Sequence, residues 1–100
     1  MNDKIYTIDE IKDLFADIAK KYELDEAYLF GSYARGEATT ESDVDFYIRA
    51  DNMKSLLDLS GLWIDVEKAM NKKVDVVTAK ATMEDDFEQE MRKELVKIYG

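Results

Sequence analysis

The stretch of sequence that decides the fold is AYLFGSYARGEATTESDVDFYIR, residues 27–49. It starts with a short apolar run, Ala27–Phe30, passes through Gly31, and ends in an alternating stretch, Val44–Arg49. Short runs rich in apolar, aromatic and β-branched residues are typical of strands, so both ends of the stretch predict strands. The residues from Ser32 to Gly36 leave room for one helical turn between them. The stretch therefore predicts a strand, a tight turn and a second strand.

Upstream of this stretch the sequence predicts a helix over Ile8–Tyr22. Thr7 and Glu10 have the spacing of a capping box, in which each side chain accepts a hydrogen bond from the other residue's backbone. Apolar residues then recur at helical spacing, with charged residues on the opposite face. The helix is expected to pack one face on the sheet.

Downstream, a second helical pattern covers Lys54–Met70, with Gly61 as a candidate break or kink and Asn71 as a left-handed stop. The stretch Lys73–Thr78 predicts a third strand. A last helix is predicted over Met83–Tyr99, whose inward positions are Phe87, Met91, Leu95 and Ile98.

The predicted order is α-β-α-β-α-β-α, which gives an α/β fold with a small mixed sheet of about three strands and helices packed on it. A chain of 100 residues fits one domain, so we expect residues 1–100 to form a single domain.

The composition excludes several kinds of chemistry. The chain has no histidine and no cysteine, so disulfides, thiolate zinc sites and histidine bases are ruled out. It has 23 Asp and Glu against 14 Lys and Arg, a net charge of −9. This balance disfavours direct binding to a nucleic-acid backbone. It suits hard cations such as Mg²⁺, which prefer oxygen ligands.

The sequence shows no membrane or secretory segment. Its longest unbroken apolar run is Ala27–Phe30, whereas a membrane helix needs about 20 apolar residues. The first five residues lack the apolar stretch of a secretory signal. We expect a cytoplasmic protein.

The turn after the first strand has features of an anion site. Backbone N–H groups at the start of a helical turn attract phosphate, and Gly31 allows a close approach. Ser32 adds a hydroxyl donor, and Arg35 adds a cation one turn later. Arg35 has an alternative role as a surface ion pair with Glu37 or Glu41, and Gly36 is expected to serve the turn.

Asp43 and Asp45 are two residues apart in or beside a predicted strand, so both carboxylates point to one face. Such a pair can share a divalent cation, and without one the two charges repel. The alternative is two solvated aspartates on an edge strand. An EF-hand is excluded because the third ligand and the glycine of its loop are missing.

Asp75 interrupts the apolar third strand, and a carboxylate there is costly to bury without compensation. If this strand neighbours the second, Asp75 completes a cluster of three carboxylates. The alternative is an exposed aspartate on an edge strand.

Taken together, Gly31–Ala38, Ser42–Asp45 and Lys72–Thr78 resemble the motifs of the nucleotidyltransferase superfamily that includes DNA polymerase β. They are most similar to the minimal nucleotidyltransferase (MNT) domains, and the resemblance covers most of the chain. It implies the nucleotidyltransferase fold. It also implies an ATP-binding set and a metal-binding, catalytic set of carboxylates that would hold two Mg²⁺ ions. The first set is Gly31, Ser32, Arg35 and Ser42, and the second is Asp43, Asp45 and Asp75.

The resemblance further implies a partner. MNT proteins of this type pair with a helical HEPN ribonuclease toxin, act as its antitoxin and transfer AMP from ATP to a tyrosine hydroxyl. In that case Asp75 would help to activate the attacking hydroxyl. A binding-only antitoxin, which occludes its toxin without catalysis, is the alternative.

Two further features have open interpretations. The acidic residues Glu84–Asp86, with Glu88 and Glu90, are either a docking face for a basic toxin or ordinary charges near a helix N-terminus. The aromatic residues Tyr33, Tyr47 and Trp63 are either interface anchors or core residues.

Overall fold

A computed structural model describes residues 4–50, 56–78 and 94–100 of the chain. Three helices and four strands lie in these ranges. In chain order they are α1 (Ile8–Lys21), β1 (Glu26–Phe30), α2 (Ser32–Arg35), β2 (Val44–Arg49), α3 (Leu56–Met70), β3 (Val74–Thr78) and β4 (Val96–Tyr99).

The start of α1 confirms the predicted capping box. The Thr7 hydroxyl accepts a hydrogen bond from the Glu10 N–H at 3.1 Å, and the Glu10 carboxylate accepts one from the Thr7 N–H at 2.9 Å. Two backbone donors that have no partner within the helix are thereby satisfied. The helix ends one residue before the predicted Tyr22, which is its C-cap.

Helix α3 runs without a break through Gly61, so the predicted break or kink there is wrong. A Cβ at position 61 would lie 2.7 Å from the Tyr22 hydroxyl oxygen, just after α1. The glycine therefore makes room for a neighbouring side chain and does not interrupt its own helix. Asn71 follows α3 with a φ of 52°, as predicted for a left-handed stop. The predicted start at Lys54 lies outside the described residues.

The four strands form one mixed sheet in the order β3-β2-β1-β4. Strands β2 and β3 are parallel, while β1 is antiparallel to both β2 and β4. The α/β class and the mixed sheet are confirmed, although the strand count is one higher than predicted.

The extra strand corrects the predicted final helix, because Val96–Tyr99 is β4. Within it Ile98 is buried and Lys97 is exposed, which is the alternation of a strand. The residues are β-branched or aromatic at three of four positions, and β1 offers an edge with which they pair. Leu95 precedes the strand and is half-buried. Phe87, Met91 and the acidic residues from Glu84 to Glu90 lie outside the described residues.

The core lies between the sheet and the helices α1 and α3. Phe15 of α1 stacks on Phe46 of β2, with ring centroids 4.9 Å apart. Val44, Phe46 and Ile48 of β2 are fully buried on this side. Strand β2 therefore directs its other alternate side chains, Asp45 among them, to the opposite face.

The three aromatic residues with two interpretations are packed against the protein itself. Tyr33 and Tyr47 are both buried, at 4% and 6% exposure. Trp63 packs against the core and donates its ring N–H to the Val74 carbonyl at 3.0 Å. Within the described residues, no helix is long and apolar enough to cross a membrane.

Candidate active site

The turn between β1 and α2 forms one side of the candidate site. Gly31 lies between the two elements with a φ of 74°, in a region that residues with a side chain rarely adopt. The single helical turn Ser32–Arg35 follows, as predicted. Gly36 closes it in the left-handed conformation, and its N–H donates to the Ser32 and Tyr33 carbonyls. Gly36 therefore serves the turn.

Gly31 packs directly against Asp45 of β2. A Cβ at position 31 would overlap the Oδ2 atom of Asp45 and would lie 3.2 Å from its Cγ. Only glycine lets the backbone approach the carboxylate this closely. The Gly-Ser turn and the Asp-x-Asp segment, which are separated in the sequence, thus form one continuous surface.

Asp75 lies beside Asp45 on the neighbouring parallel strand. The register pairs Asp45 with Asp75, and it pairs Val44 with Val74 on one side of them. Because both valines are buried in the core, the two aspartates point to the opposite face. The sequence left open whether the third strand neighbours the second, and the register shows that it does, which brings Asp75 beside Asp45. Asp75 is also exposed on an edge strand, as the alternative interpretation had it, whereas β2 is an inner strand of the sheet.

The surroundings of Asp45 raise the pKa of its carboxyl group. Burial, the charges of Asp75 and Asp43, and a hydrogen bond with Asp75 together raise the pKa of Asp45 to about 6. The positive charge of Arg35 opposes this rise. Asp43 lies one residue before β2 and is half-buried. Asp45 is therefore not an independently solvated aspartate, because burial and the charges of Asp75 and Asp43 act on its carboxylate.

The donor set fits a divalent cation in its chemistry. It consists of carboxylate oxygens, the ligands that Mg²⁺ prefers. A bound cation would relieve the repulsion from Asp75 and Asp43, which adds to burial in raising the pKa of Asp45. In residues 4–50, 56–78 and 94–100, however, no three side chains of the metal-ligating types are arranged as a complete metal site. Asp45 and Asp75, which lie opposite each other in the register of β2 and β3, are the pair best placed to begin one.

Arg35 is engaged by two glutamates. Its guanidinium lies 3.3 Å from the Glu37 carboxylate and 3.3 Å from that of Glu94, just before β4. The Glu37 pair agrees with the alternative that the sequence left open for Arg35, whereas Glu94 was not foreseen because it is 59 residues away. Arg35 is 42% exposed, so water weakens both ion pairs.

Ser42 helps to hold the turn that delivers Asp43. Its hydroxyl oxygen accepts a hydrogen bond from the Thr39 N–H at 2.9 Å, and its own N–H donates to the Thr39 carbonyl at 3.1 Å. These bonds give Ser42 a structural task beside the site. Its predicted contact with a nucleotide stays a prediction.

Sequence reasoning assigned no role to Lys72, which the structure connects to this turn. Lys72 is 5% exposed, and its ammonium group donates to the Thr40 carbonyl at 3.0 Å. The sequence offers no signal for this contact, because Lys72 and the exposed Lys73 are adjacent and identical in type.

Comparison with known proteins gives a family match and close relatives. The family model described as polymerase beta nucleotidyltransferase matches residues 11–100. Two proteins of Methanocaldococcus jannaschii, both provisionally named protein adenylyltransferases, are similar to the chain. One is 42% identical over 71 residues, which is 71% of this chain and 76% of the relative. The other is 34% identical over 98 residues, which is 92% of this chain and 98% of the relative.

Solved structures share the fold. A provisionally identified minimal nucleotidyltransferase superposes with a TM-score of 0.76 at 21% identity, covering 91% of this chain and 95% of that one. A tri-AMPylated Shewanella oneidensis HEPN toxin in complex with its MNT antitoxin contains a chain that superposes with a TM-score of 0.68 at 16% identity. That match covers 94% of this chain and 73% of the other.

Proposed function

This chain belongs to the polymerase beta nucleotidyltransferase family, and on that premise we propose that it transfers AMP from ATP to a HEPN-type toxin and so acts as its antitoxin. The names of its relatives, which describe protein adenylyltransferases, support the reaction. The neighbouring structure of an AMPylated toxin with an MNT antitoxin supports the partner. The observation that carries the proposal is the packing of the Gly31 turn against Asp45, which itself lies beside Asp75.

The proposed nucleotide site lies at the turn. Gly31 leaves space beside the carboxylates, and the Ser32 hydroxyl at the start of α2 is a donor for a phosphate oxygen. Arg35 follows on the same turn. Its guanidinium would release the exposed ion pair with Glu94 and bind a phosphate group of ATP. Ser42 would contact the nucleotide from the turn that precedes Asp43.

The proposed reaction is an in-line displacement. The acceptor oxygen forms a bond to the α-phosphorus of ATP, the bond from that phosphorus to the oxygen bridging the β-phosphate breaks, and pyrophosphate leaves. The proton of the acceptor hydroxyl must be removed as the bond forms. Asp75 is the candidate for this task because it is exposed on an edge strand, where a hydroxyl of another protein is able to reach it.

Asp43, Asp45 and Asp75 would hold the two Mg²⁺ ions of the proposal. When bound, such ions supply positive charge to the attacking oxygen and to the leaving pyrophosphate. The chain's own contribution is the arrangement of the carboxylates. The parallel register of β2 and β3 holds Asp45 beside Asp75. The hydrogen-bonded turn over residues 39–42 comes directly before Asp43 and would set the position of its carboxylate.

The proposed acceptor is a tyrosine hydroxyl of the toxin. Charge supports a protein partner of this kind, because the chain carries a net charge of −9 and an RNA-cleaving toxin has to be basic where it binds RNA. Complementary charge speeds association and favours the correct partner.

Radiolabelled ATP tests the proposal. The protein is incubated with Mg²⁺, the product of the neighbouring gene as the candidate toxin, and ATP labelled at either the α- or the γ-phosphate. We expect the toxin to be labelled from α-labelled ATP alone, with a tyrosine phosphodiester in the digested product. No label from either ATP, with full neutralisation of the toxin by a variant carrying both Asp43→Asn and Asp45→Asn, would establish the binding-only antitoxin instead.

A further inference from the structure

We propose that Lys72 is a positioning residue, which holds the turn over residues 39–42 and through it the carboxylate of Asp43. The inference rests on the nucleotidyltransferase activity of the proposed function, since positioning matters only if Asp43 takes part in it. Lys72 itself would touch neither nucleotide nor acceptor.

The burial of Lys72 is the first argument. At 5% exposure it is the one charged side chain that is buried among residues 4–50, 56–78 and 94–100. Burying an ammonium group is costly unless it donates hydrogen bonds. Ordering a lysine side chain costs about 2 kcal/mol of conformational entropy as well. The ammonium group of a lysine at this position therefore needs hydrogen-bond acceptors in the protein.

The partner of the ammonium group is the second argument. Lys72 Nζ donates to the Thr40 carbonyl at 3.0 Å, across 32 residues of sequence. It thereby joins the segment between α3 and β3 to the middle of the connection between α2 and β2. That connection delivers Asp43 to the site.

The local structure of the turn is the third argument. Thr39 and Ser42 bind each other through the Thr39 N–H and the Ser42 hydroxyl, and the Glu41 N–H donates to the Thr39 hydroxyl at 3.3 Å. These short-range bonds set the shape of the turn but do not fix its place on the protein. Lys72 supplies such a fixed point at residue 40.

A second fixed point lies on the other side of Asp43. The Val44 N–H donates to the Lys73 carbonyl at 3.2 Å, which starts the pairing of β2 with β3. Asp43 therefore sits between two anchors, both supplied by the Lys72–Lys73 segment. With the anchor at residue 40 removed, the chain before Val44 gains freedom and the Asp43 carboxylate is no longer held towards Asp45.

Lys72→Met tests the inference, because methionine fills similar space without a donor. Lys73→Met is the matched control, since Lys73 is adjacent and exposed. Residues that orient a metal ligand typically change metal affinity by about 10–100-fold when mutated. We expect Lys72→Met to raise the Mg²⁺ concentration for half-maximal AMP transfer about tenfold and to lower kcat, with KM for ATP changed less than about twofold. Lys72→Arg, which keeps a donor, should restore part of the loss.

Hydrogen exchange gives a readout that is independent of activity. The Ser42 amide, which closes the turn, should exchange faster in Lys72→Met than in Lys73→Met, whereas amides in α1 should not change. Equal Ser42 exchange and equal Mg²⁺ requirement in the two variants would overturn the inference. A loss of protection spread over the whole chain would also overturn it, because the role would then be one of general stability.

If Lys72→Met does not fold, Lys72→Gln replaces it, since glutamine is shorter and its amide does not reach the Thr40 carbonyl. If the unmodified protein labels no toxin, the proposed function has failed, while Ser42 exchange and the thermal shift caused by Mg²⁺ with AMP-PNP still decide the role of Lys72.

Discussion

Gly31 lies so close to Asp45 that any side chain at position 31 would overlap the Asp45 carboxylate. This contact joins the turn after β1 to strand β2, which carries Asp45. It explains how the Gly-Ser turn and the Asp-x-Asp segment come into contact although 14 positions separate Gly31 from Asp45.

Gly31→Ala should abolish AMP transfer. The new methyl group displaces the Asp45 carboxylate, and the backbone at φ 74° and ψ −152°, a region essentially restricted to glycine, costs about 1–3 kcal/mol in addition. Gly36→Ala is the control for a positive φ without a clash, because Gly36 has a φ of 74° in the ordinary left-handed region and a methyl group there would meet no atom within 4 Å. We expect both variants to lose about 1 kcal/mol or more of unfolding free energy in urea, with activity kept only by Gly36→Ala. Equal activity in the two variants would contradict the contact.

Stability should fall as the pH rises through the range in which Asp45 ionises. Its pKa is about 6 in the folded protein, against an ordinary value of 3.8, so the folded state holds the proton more tightly than the unfolded state. The stabilisation is complete below about pH 4 and is lost above about pH 6. One pKa unit corresponds to about 1.4 kcal/mol, and water around the half-buried carboxylate reduces the effect, so we expect about 1–2 kcal/mol.

Asp45→Asn removes this dependence, because asparagine resembles the protonated carboxyl. Without divalent cations or nucleotide, we expect the variant to match the unmodified protein near pH 4 and to melt at a higher temperature at about pH 7.5. Asp13→Asn, on the exposed side of α1, should leave the pH profile unchanged. Parallel melting curves for Asp45→Asn and the unmodified protein at every pH would refute the account of the carboxylate pair.

Arg35→Ala should weaken nucleotide binding with little effect on folding. The ion pairs with Glu37 and Glu94 are exposed, and such pairs contribute about 0–1 kcal/mol. We expect KM for ATP to rise about three- to tenfold while the melting temperature changes by only a few degrees. Arg49→Ala, at the far end of β2, is the control and should leave KM unchanged. An unchanged KM in Arg35→Ala would restrict Arg35 to its surface ion pairs.

Thr7→Ala should destabilise the protein without touching the site. It removes the hydroxyl that accepts from the Glu10 N–H at the start of α1, and such a loss costs about 1 kcal/mol. Chemical denaturation measures the change, and AMP transfer by the folded fraction should be normal. A change in kcat would mean that α1 contributes to the site in a way that its position does not explain.

The sequence predicted the parts of this fold that depend on nearby residues. Thr7 and Glu10 are three residues apart, and the Gly31 turn and the alternation of Val44–Arg49 are equally local. Each pattern carries its own physical reason, so α1, α2 and β2 lie where they were expected. For Asp75 the strand alternation fixed the face of the side chain, whereas the neighbouring position of β3 and β2 was left open and comes from the structure.

The parts that were wrong or missed depend on distant residues. Val96–Tyr99 is a strand because β1, far earlier in the chain, offers it an edge, and helical spacing through Leu95 and Ile98 gave no hint of that. Gly61 lies within the unbroken helix α3 and leaves space for the hydroxyl of Tyr22, a contact between distant residues that the sequence does not reveal. The contacts of Arg35 with Glu94 and of Lys72 with Thr40 are invisible in the sequence for the same reason.

The most direct test of the central claim compares AMP transfer by the unmodified protein and by Asp45→Asn under single-turnover conditions. Each protein is first shown to be folded and is then mixed, in a separate reaction, with the toxin, Mg²⁺ and α-labelled ATP. The account predicts that Asp45→Asn transfers AMP at least about a hundredfold more slowly while being no less stable at about pH 7.5. Transfer at the rate of the unmodified protein would contradict the assignment of Asp45, and with it the carboxylate site.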